Sequence, residues 1–533
     1  MSVLSVLVHP IITPFLALAA VIGYHLWAYA QDPYGYRRLG IAGPWLAQLS
    51  DLWLARNAAG GKRSEAVHRE HLKYGPFVRI APNHISICDP EALQVIYAHG
   101  NGTLKTEFYD AFVSIRRGLF NTRDRAEHTR KRKIISHIFS PKNVAEFEPN
   151  IRSAMSGLFV QLDKICSAPP GTKSFLGSSY FRIKEGRAWM DILPWFNYVA
   201  FDVIGDLVFG QPFGMIENAQ DSAAVAAGGE KDVAGKGDIK YFPAIKILND
   251  RGDFSATLGT IPPWARPYIK KLPWFARGDK ATQHLAGIAI AAVSKRLANP
   301  TDRVDLLTRL QQGKDDNGQP LGKEELTAEA LTQLIAGSDT TSNSSCAIIY
   351  YLARDQRVLR KLQRELDDAL GVTEDLPWYE DLKKLPYLEA CINEALRLHS
   401  TSSMGLARVV PAGGLTVSGM HFPEGSILSV PSYSLHRVKS VWGEDSEVYR
   451  PERWLKLDQT EIQRTFNPFS FGPRACVGRN LATMELLVII ASFVRKYDVV
   501  LEYPAEHLDT REGFLRKPLG CMVGLKQRAV QAQ

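Results

Sequence analysis

One of the chain's six cysteines stands in a setting unlike that of the other five. Cys476 lies in the run N-P-F-S-F-G-P-R-A-C-V-G-R-N at residues 467–480, with the spacing Phe469-x-x-Gly472-x-Arg474-x-Cys476-x-Gly478. A lone cysteine is ordinarily a small buried hydrophobe. A thiolate beside cationic side chains and backbone N–H donors stays ionised instead, and an ionised thiolate is a strong metal ligand. Gly472 and Gly478 permit tight turns and let the backbone approach a flat partner closely. Phe469 is placed to cover the sulfur, and Arg474 to reach a carboxylate on that partner. Together these features suit a haem held through an axial cysteine.

Three other groups carry possible chemistry. Residues 336–341 read Ala-Gly-Ser-Asp-Thr-Thr inside a strongly helical stretch, 326–370. Glycine and clustered hydroxyl residues compete for backbone carbonyls, which predicts a local opening of the helix. There Asp339 and Thr340 are suited to relay protons to a bound oxygen; a packing kink is the plainer reading. Residues 123–140 form a basic helical stretch in which His128 and Arg132, four apart, share one face. Glu394 and Arg397 are three apart on another helix, where such pairs are common and weak. His68-Arg69-Glu70-His71 lacks zincin spacing and reads as a solvated helix face.

The ten-position pattern around Cys476 resembles the cysteine-ligand loop of the cytochrome P450 family, the haem-thiolate monooxygenases. The resemblance implies a mainly α fold with a small β-rich lobe and haem b enclosed between them. It implies that Cys476 is the iron ligand, with Phe469, Gly472, Arg474 and Gly478 around the haem. It carries His128, Arg132 and Arg408 over as propionate contacts, although the family's usual residue at His128 is Trp and the usual proline before Arg408 is Ala407. It makes Glu394, Arg397 and Arg453 a buried charged triad that supports the cysteine loop, and Asp339 and Thr340 the proton relay for activation of O2.

The likeness goes further. Residues 99–133, 195–210, 326–343, 398–406 (L-H-S-T-S-S-M-G-L) and 510–520 (T-R-E-G-F-L-R-K-P-L-G) are similar to the fungal benzoate 4-hydroxylases, over roughly residues 73–525. That implies para-hydroxylation of a small aromatic carboxylic acid, with another aromatic acid or a phenylpropanoid as the alternative substrate. Tyr109, Arg116, Ser402 and Met404 are the candidates to hold it. A haem sensor or carrier without turnover is the rival from another class. No G-x-G-x-x-G unit for a nicotinamide or flavin is found, so electrons from NADPH are expected through a separate reductase docked on the basic face.

The positioning elements follow from the rest of the chain. It has 533 residues, 45% of them hydrophobic, and a formal net charge of +8. The basic excess is too diffuse to argue for nucleic acid and suits acidic partners or anionic membrane surfaces. Scattered cysteines without C-x-x-C spacing indicate neither zinc nor a disulfide framework. Residues 11–30 contain no Asp, Glu, Lys or Arg and are followed by Arg37 and Arg38. This predicts a transmembrane anchor with the bulk of the chain in the cytosol, at the endoplasmic reticulum. The expected division is an anchor at 1–30, a hinge at 31–45 and the haem-thiolate domain at 46–533. Residues 73–88 predict a β-hairpin, 217–240 a mobile loop, 415–430 strands around the Pro423-Glu424-Gly425 turn, and 481–497 a helix packed on the cysteine loop.

Overall fold

The computed structural model describes residues 12–226, 238–299, 305–314, 318–371, 375–456 and 458–528. Seven helices and five strands position the site. The helices are α1 (Ile12–Gln31), α2 (Arg125–Ser136), α3 (Leu193–Phe209), α4 (Ala244–Gly259), α5 (Lys323–Arg354), α6 (Pro386–Leu398) and α7 (Arg479–Lys496). The strands are β1 (Phe77–Ala81), β2 (His84–Ile87), β3 (Leu104–Lys105), β4 (Arg408–Val409) and β5 (Ile427–Ser429).

The largest core is helical. α5 crosses its centre, with α3 along one side and α7 beneath. α5 begins with Glu324 and Glu325 in its first turn, where carboxylates favour the helix dipole, and ends in Arg354. It stops there because Asp355 leaves the helix and caps the next one, accepting hydrogen bonds from the N–H groups of Arg357 and Val358. The expected helical stretch at 326–370 is therefore two helices. α5 itself is unbroken through residues 336–341. The hydroxyls of Ser338 and Thr340 donate to the carbonyls of Leu334 and Ala336, at 2.7 and 2.6 Å, without opening the turn. Gly337 serves close packing instead, since a Cβ there would lie 2.6 Å from Ile204 of α3.

The β-lobe holds a five-stranded sheet of order β1-β2-β5-β4-β3. β1 and β2 form the hairpin expected at 73–88. A second five-stranded sheet pairs Tyr497–Leu501 with Met522–Gln527, followed by Arg187–Asp191, Ser179–Lys184 and Lys173–Leu176.

Several expectations are corrected. Within 217–240, Ala223–Ala226 pairs with Ile239–Phe242 as a hairpin, and residues 227–237 lie outside the described residues. The strands expected in 415–430 form, with the turn at Pro423–Gly425 closed by the Ser426 N–H on the Pro423 carbonyl at 3.2 Å and a further turn at Ser418-Gly419, both at positive φ. His71 is buried, with Nδ1 on the Gly75 carbonyl and Nε2 on Ser86, so that face is not solvated. The expected transmembrane helix is not supported: no helix among the described residues is long and apolar enough to cross a membrane. α1 forms and exposes Phe15, Leu16, Leu18, Val21, Ile22, Leu26 and Trp27. Gly23, Tyr24, His25, Tyr29 and Gln31 interrupt that apolar run.

Candidate active site

The cysteine loop is shaped by its own backbone. The Cys476 N–H donates to the Phe469 carbonyl at 2.9 Å, and Ala475 N–H to Gly472 at 3.0 Å. Gly472 has φ +72°, and a Cβ there would come within 1.8 Å of the Tyr97 carbonyl oxygen. The positive φ and the close approach of the neighbouring helix end both require glycine there. Gly478 has φ −85° and begins α7; a Cβ there would meet only Phe139, at 3.9 Å, so no turn demands glycine. The Arg479 guanidinium lies 5.8 Å from the centroid of the Phe469 ring.

Cys476 is exposed, although dense protein surrounds it, because it faces an internal cavity of about 310 Å³. Burial pushes the thiol up, while the Gly478 N–H and the Arg132 and Arg479 charges pull it down. The net direction is upward, so the loop alone does not ionise the sulfur as its sequence suggests. A bound metal would do so.

The opposite wall of the cavity is α5, through Leu331, Ile335, Ala336, Gly337 and Thr340. One edge is basic. Lys105 of β3 lines it, and Arg408 of β4, in register with Lys105, is buried just behind the lining. Lys105 donates to the Phe120 carbonyl, and Arg408 to the Tyr109 hydroxyl at 3.2 Å. Arg132 of α2 donates to the Ala475 carbonyl at 2.6 Å, and Arg474 to the carbonyls of Thr122 and Arg123 at 2.6 and 3.0 Å. Among the described residues, none of these four hydrogen-bonds a carboxylate. Burial and the charges of Arg408, Arg474 and Arg132 hold Lys105 well below the usual lysine range. His128 is pushed down to about 3 by burial and then by Arg474, Lys105, Arg132 and Arg408. Buried cations without counter-charge are costly, and two carboxylates at that edge would relieve them. A sulfur donor, apolar walls and an uncompensated cationic edge fit a haem with its propionates.

The loop is held from behind. Glu394 accepts from Arg397 Nε and Nη2, each at 2.9 Å, from Arg453 Nε at 2.8 Å and from Trp454 Nε1 at 2.9 Å. Burial alone would raise its carboxyl, but the Arg397 hydrogen bond and the two arginine charges hold it below the usual range. Arg397 Nη1 continues to the His436 carbonyl at 2.7 Å. The Asn467 N–H donates to His436 Nε2 at 3.0 Å, which leaves Nδ1 to donate to the Arg397 carbonyl at 3.2 Å. His436 thus ties the triad to the first residue of the cysteine loop, a link no local sequence signal reveals.

Asp339 and Thr340 face different spaces. Thr340 lines the Cys476 cavity. Asp339 lines a second cavity, about 510 Å³, with Asn343, Lys517 and Asp253. Asn343 donates to its carboxylate at 2.9 Å, and burial raises its pKa. Adjacent helical residues point about 100° apart, which accounts for the separation. Among the substrate candidates, Arg116 and Ser402 line the cavity, Arg116 as an exposed residue. Tyr109 and Met404 are buried outside it; the Met404 sulfur accepts from Arg63 at 3.5 Å. Sequence reasoning missed Arg251, which does line it.

Glu485 of α7 borders the same cavity and accepts from the Thr341 hydroxyl at 2.7 Å. Burial raises its carboxyl from 4.5 to about 7, against the Thr341 hydrogen bond. The folded protein therefore holds this proton more tightly than the unfolded chain. Stability falls as pH rises through that window and stays lower by about 3 kcal/mol above it. Glu485→Gln should raise the denaturation midpoint at pH 8 and leave it nearly unchanged at pH 4.5. An equal gain at both pH values would contradict a raised pKa.

A cysteine loop facing a long helix across a cavity, with a buried cationic edge, defines a haem-thiolate protein. The chain belongs to the cytochrome P450 family, whose model matches residues 43–525. It is 48% identical over 524 residues to the benzoate 4-monooxygenase bphA of Aspergillus niger, covering 96% of this chain and 97% of that one. It is 30% identical over 529 residues to the cytochrome P450 monooxygenase gsfF of Penicillium aethiopicum, covering 96% and 98%. It is 31% identical over 475 residues to the cytochrome P450 monooxygenase traB of Penicillium crustosum, covering 87% and 86%.

Proposed function

We propose that this protein hydroxylates benzoate at the para position, consuming O2 and two electrons delivered from NADPH by a separate reductase. The observation that carries the reading is the near-full-length 48% identity to a benzoate 4-monooxygenase. Haem, when bound, supplies the iron centre at which dioxygen is reduced and one oxygen atom is inserted into the ring. Benzoate, O2, NADPH and a proton give 4-hydroxybenzoate, water and NADP⁺.

The chain's residues divide the remaining work. Cys476 presents the ligand sulfur, shielded on the loop side by Phe469. Lys105, His128, Arg132, Arg408 and Arg474 hold the propionates. The Thr340 hydroxyl donates to the Ala336 carbonyl at 2.6 Å, so its lone pairs are left for the cavity. It accepts a hydrogen bond from a water there and orients the proton that water gives up. Asp339, on the other side of α5, exchanges protons with the second cavity. Arg125, Lys133, Lys142 and Arg479 are exposed on the side of the cysteine loop and form the reductase-facing surface. The exposed apolar face of α1 supports attachment at the endoplasmic reticulum membrane, with the catalytic unit in the cytosol.

The test is an optical titration of the haem-loaded protein with benzoate, followed by product analysis with reductase and NADPH. A saturable low-to-high-spin shift and 4-hydroxybenzoate are expected. NADPH consumption indifferent to benzoate would favour a sensor or carrier. Thr340→Ala should lower product formed per NADPH by roughly tenfold or more and divert electrons to peroxide. Unchanged coupling would remove Thr340 from proton handling.

A further inference from the structure

Arg251 borders the cavity with no opposite charge acting on it. α4 delivers it to the wall, where it is 6% exposed. Nη2 donates to the Phe112 carbonyl at 2.7 Å, and Nε has no partner. The guanidinium carbon sits 5.2 Å from the centroid of the Phe112 ring. Burial alone pushes its pKa down to about 10, with no acidic group acting on it. It stands apart from the cationic edge, where Arg408, Arg474 and Arg132 act on Lys105, and none of those four charges acts on Arg251. A second polar atom is stranded nearby: the Ser114 hydroxyl, two residues beyond the carbonyl Arg251 holds, lines the same cavity and is buried without a partner.

Aromatic rings surround this end. Phe112, Phe120 and Phe514 line the cavity and meet edge to face, with centroids 5.0 to 5.8 Å apart. An unpaired guanidinium in an apolar cage is strongly unfavourable until an anion arrives, and a planar carboxylate matches its donors. We propose that Arg251, with Ser114, is the anchor that grips the substrate's carboxylate while the three phenylalanines hold its ring. This rests on the reading of the substrate as a small aromatic acid. It also accounts for regiochemistry: the para carbon lies on the axis opposite the carboxyl group, so one anchor at that end presents para, not meta, to the reacting centre.

The test uses the haem-loaded full chain and two ligands of one shape, benzoate and benzamide, each titrated by the spin-state shift and by calorimetry. Arg251→Gln removes the charge but keeps a donor for the Phe112 carbonyl. Benzoate affinity should fall on the order of 100-fold, with benzamide changed less than about threefold. Ser114→Ala should weaken benzoate roughly tenfold. Benzoate binding unchanged in Arg251→Gln, or equal losses for both ligands, would overturn the anchor while leaving the benzoate reading intact. A wild-type protein that ignores benzoate would instead overturn that reading, and the anchor with it. If Arg251→Gln fails to take up haem, Ser114→Ala decides: no loss of benzoate affinity overturns the anchor.

Discussion

Cys476→Ala should leave a folded protein whose reduced, carbon monoxide-treated form lacks the thiolate absorption band and which makes no hydroxylated product. The expectation rests on what the side chain does and does not touch. The loop is set by backbone hydrogen bonds from Cys476 to Phe469 and from Ala475 to Gly472, which alanine keeps. The sulfur faces the cavity, so its loss leaves no hole in the helical core. What disappears is, among the described residues, the only cysteine bordering that cavity, and with it the donor that pushes electron density toward a bound oxygen. Activity should drop by about four orders of magnitude or more, while far-ultraviolet circular dichroism stays that of the wild type. Persistence of the thiolate band would require another ligand and would sink the assignment.

Glu394→Gln should be among the most damaging single substitutions outside the cavity. The replacement is nearly isosteric, so packing is preserved and the change is electrostatic. Arg397 and Arg453, both almost fully buried, would lose the carboxylate they share. Breaking a buried pair by removing one partner costs about 3–5 kcal/mol, because the remaining charges stay desolvated. Here Arg397 loses its carboxylate partner, Arg453 keeps only the more exposed Asp445 at 3.2 Å, and Trp454 Nε1 loses its charged acceptor as well. The damage should reach the site, because Arg397 holds His436 and His436 holds Asn467. A lower denaturant midpoint together with faster haem loss is expected. Glu461→Gln is the control: its pair with Arg464, at 3.7 Å and half exposed, should be worth about 1 kcal/mol or less. Equal effects of the two variants would show that the triad is not a support.

Much of the site can be read locally because its chemistry is compressed into short motifs. Cys476 and its loop, the basic helix with His128 and Arg132, and Glu394 with Arg397 each lie within a few residues of one another, so spacing alone suggests proximity. The same logic fails where partners come from distant segments. Arg251 owes its environment to Phe112 and Ser114, far away in the chain, and nothing around residue 251 marks it. Tyr109 and Met404 look apolar enough for a pocket, yet packing turns them into the wall behind it. Asp339 and Thr340 are neighbours in the chain yet face different cavities, which helical geometry does dictate. The hairpin within 217–240 was obscured by a composition that also suits a loop. The membrane expectation counted charges; the tyrosines, histidine and glycine of α1 weigh against it.

The second sheet carries a consequence for how the molecule is made. Its strand Met522–Gln527 lies inside the sheet, with Tyr497–Leu501 on one side and Arg187–Asp191 on the other. The sheet joins Arg187–Asp191 to strands from a distant part of the chain, so it cannot close until both segments have been made and brought together. α7, which buries the floor of the cysteine loop, runs directly into Tyr497–Leu501. The floor of the haem site is therefore completed by a non-local pairing, a slow kind of step in folding, and cofactor capture should follow that step.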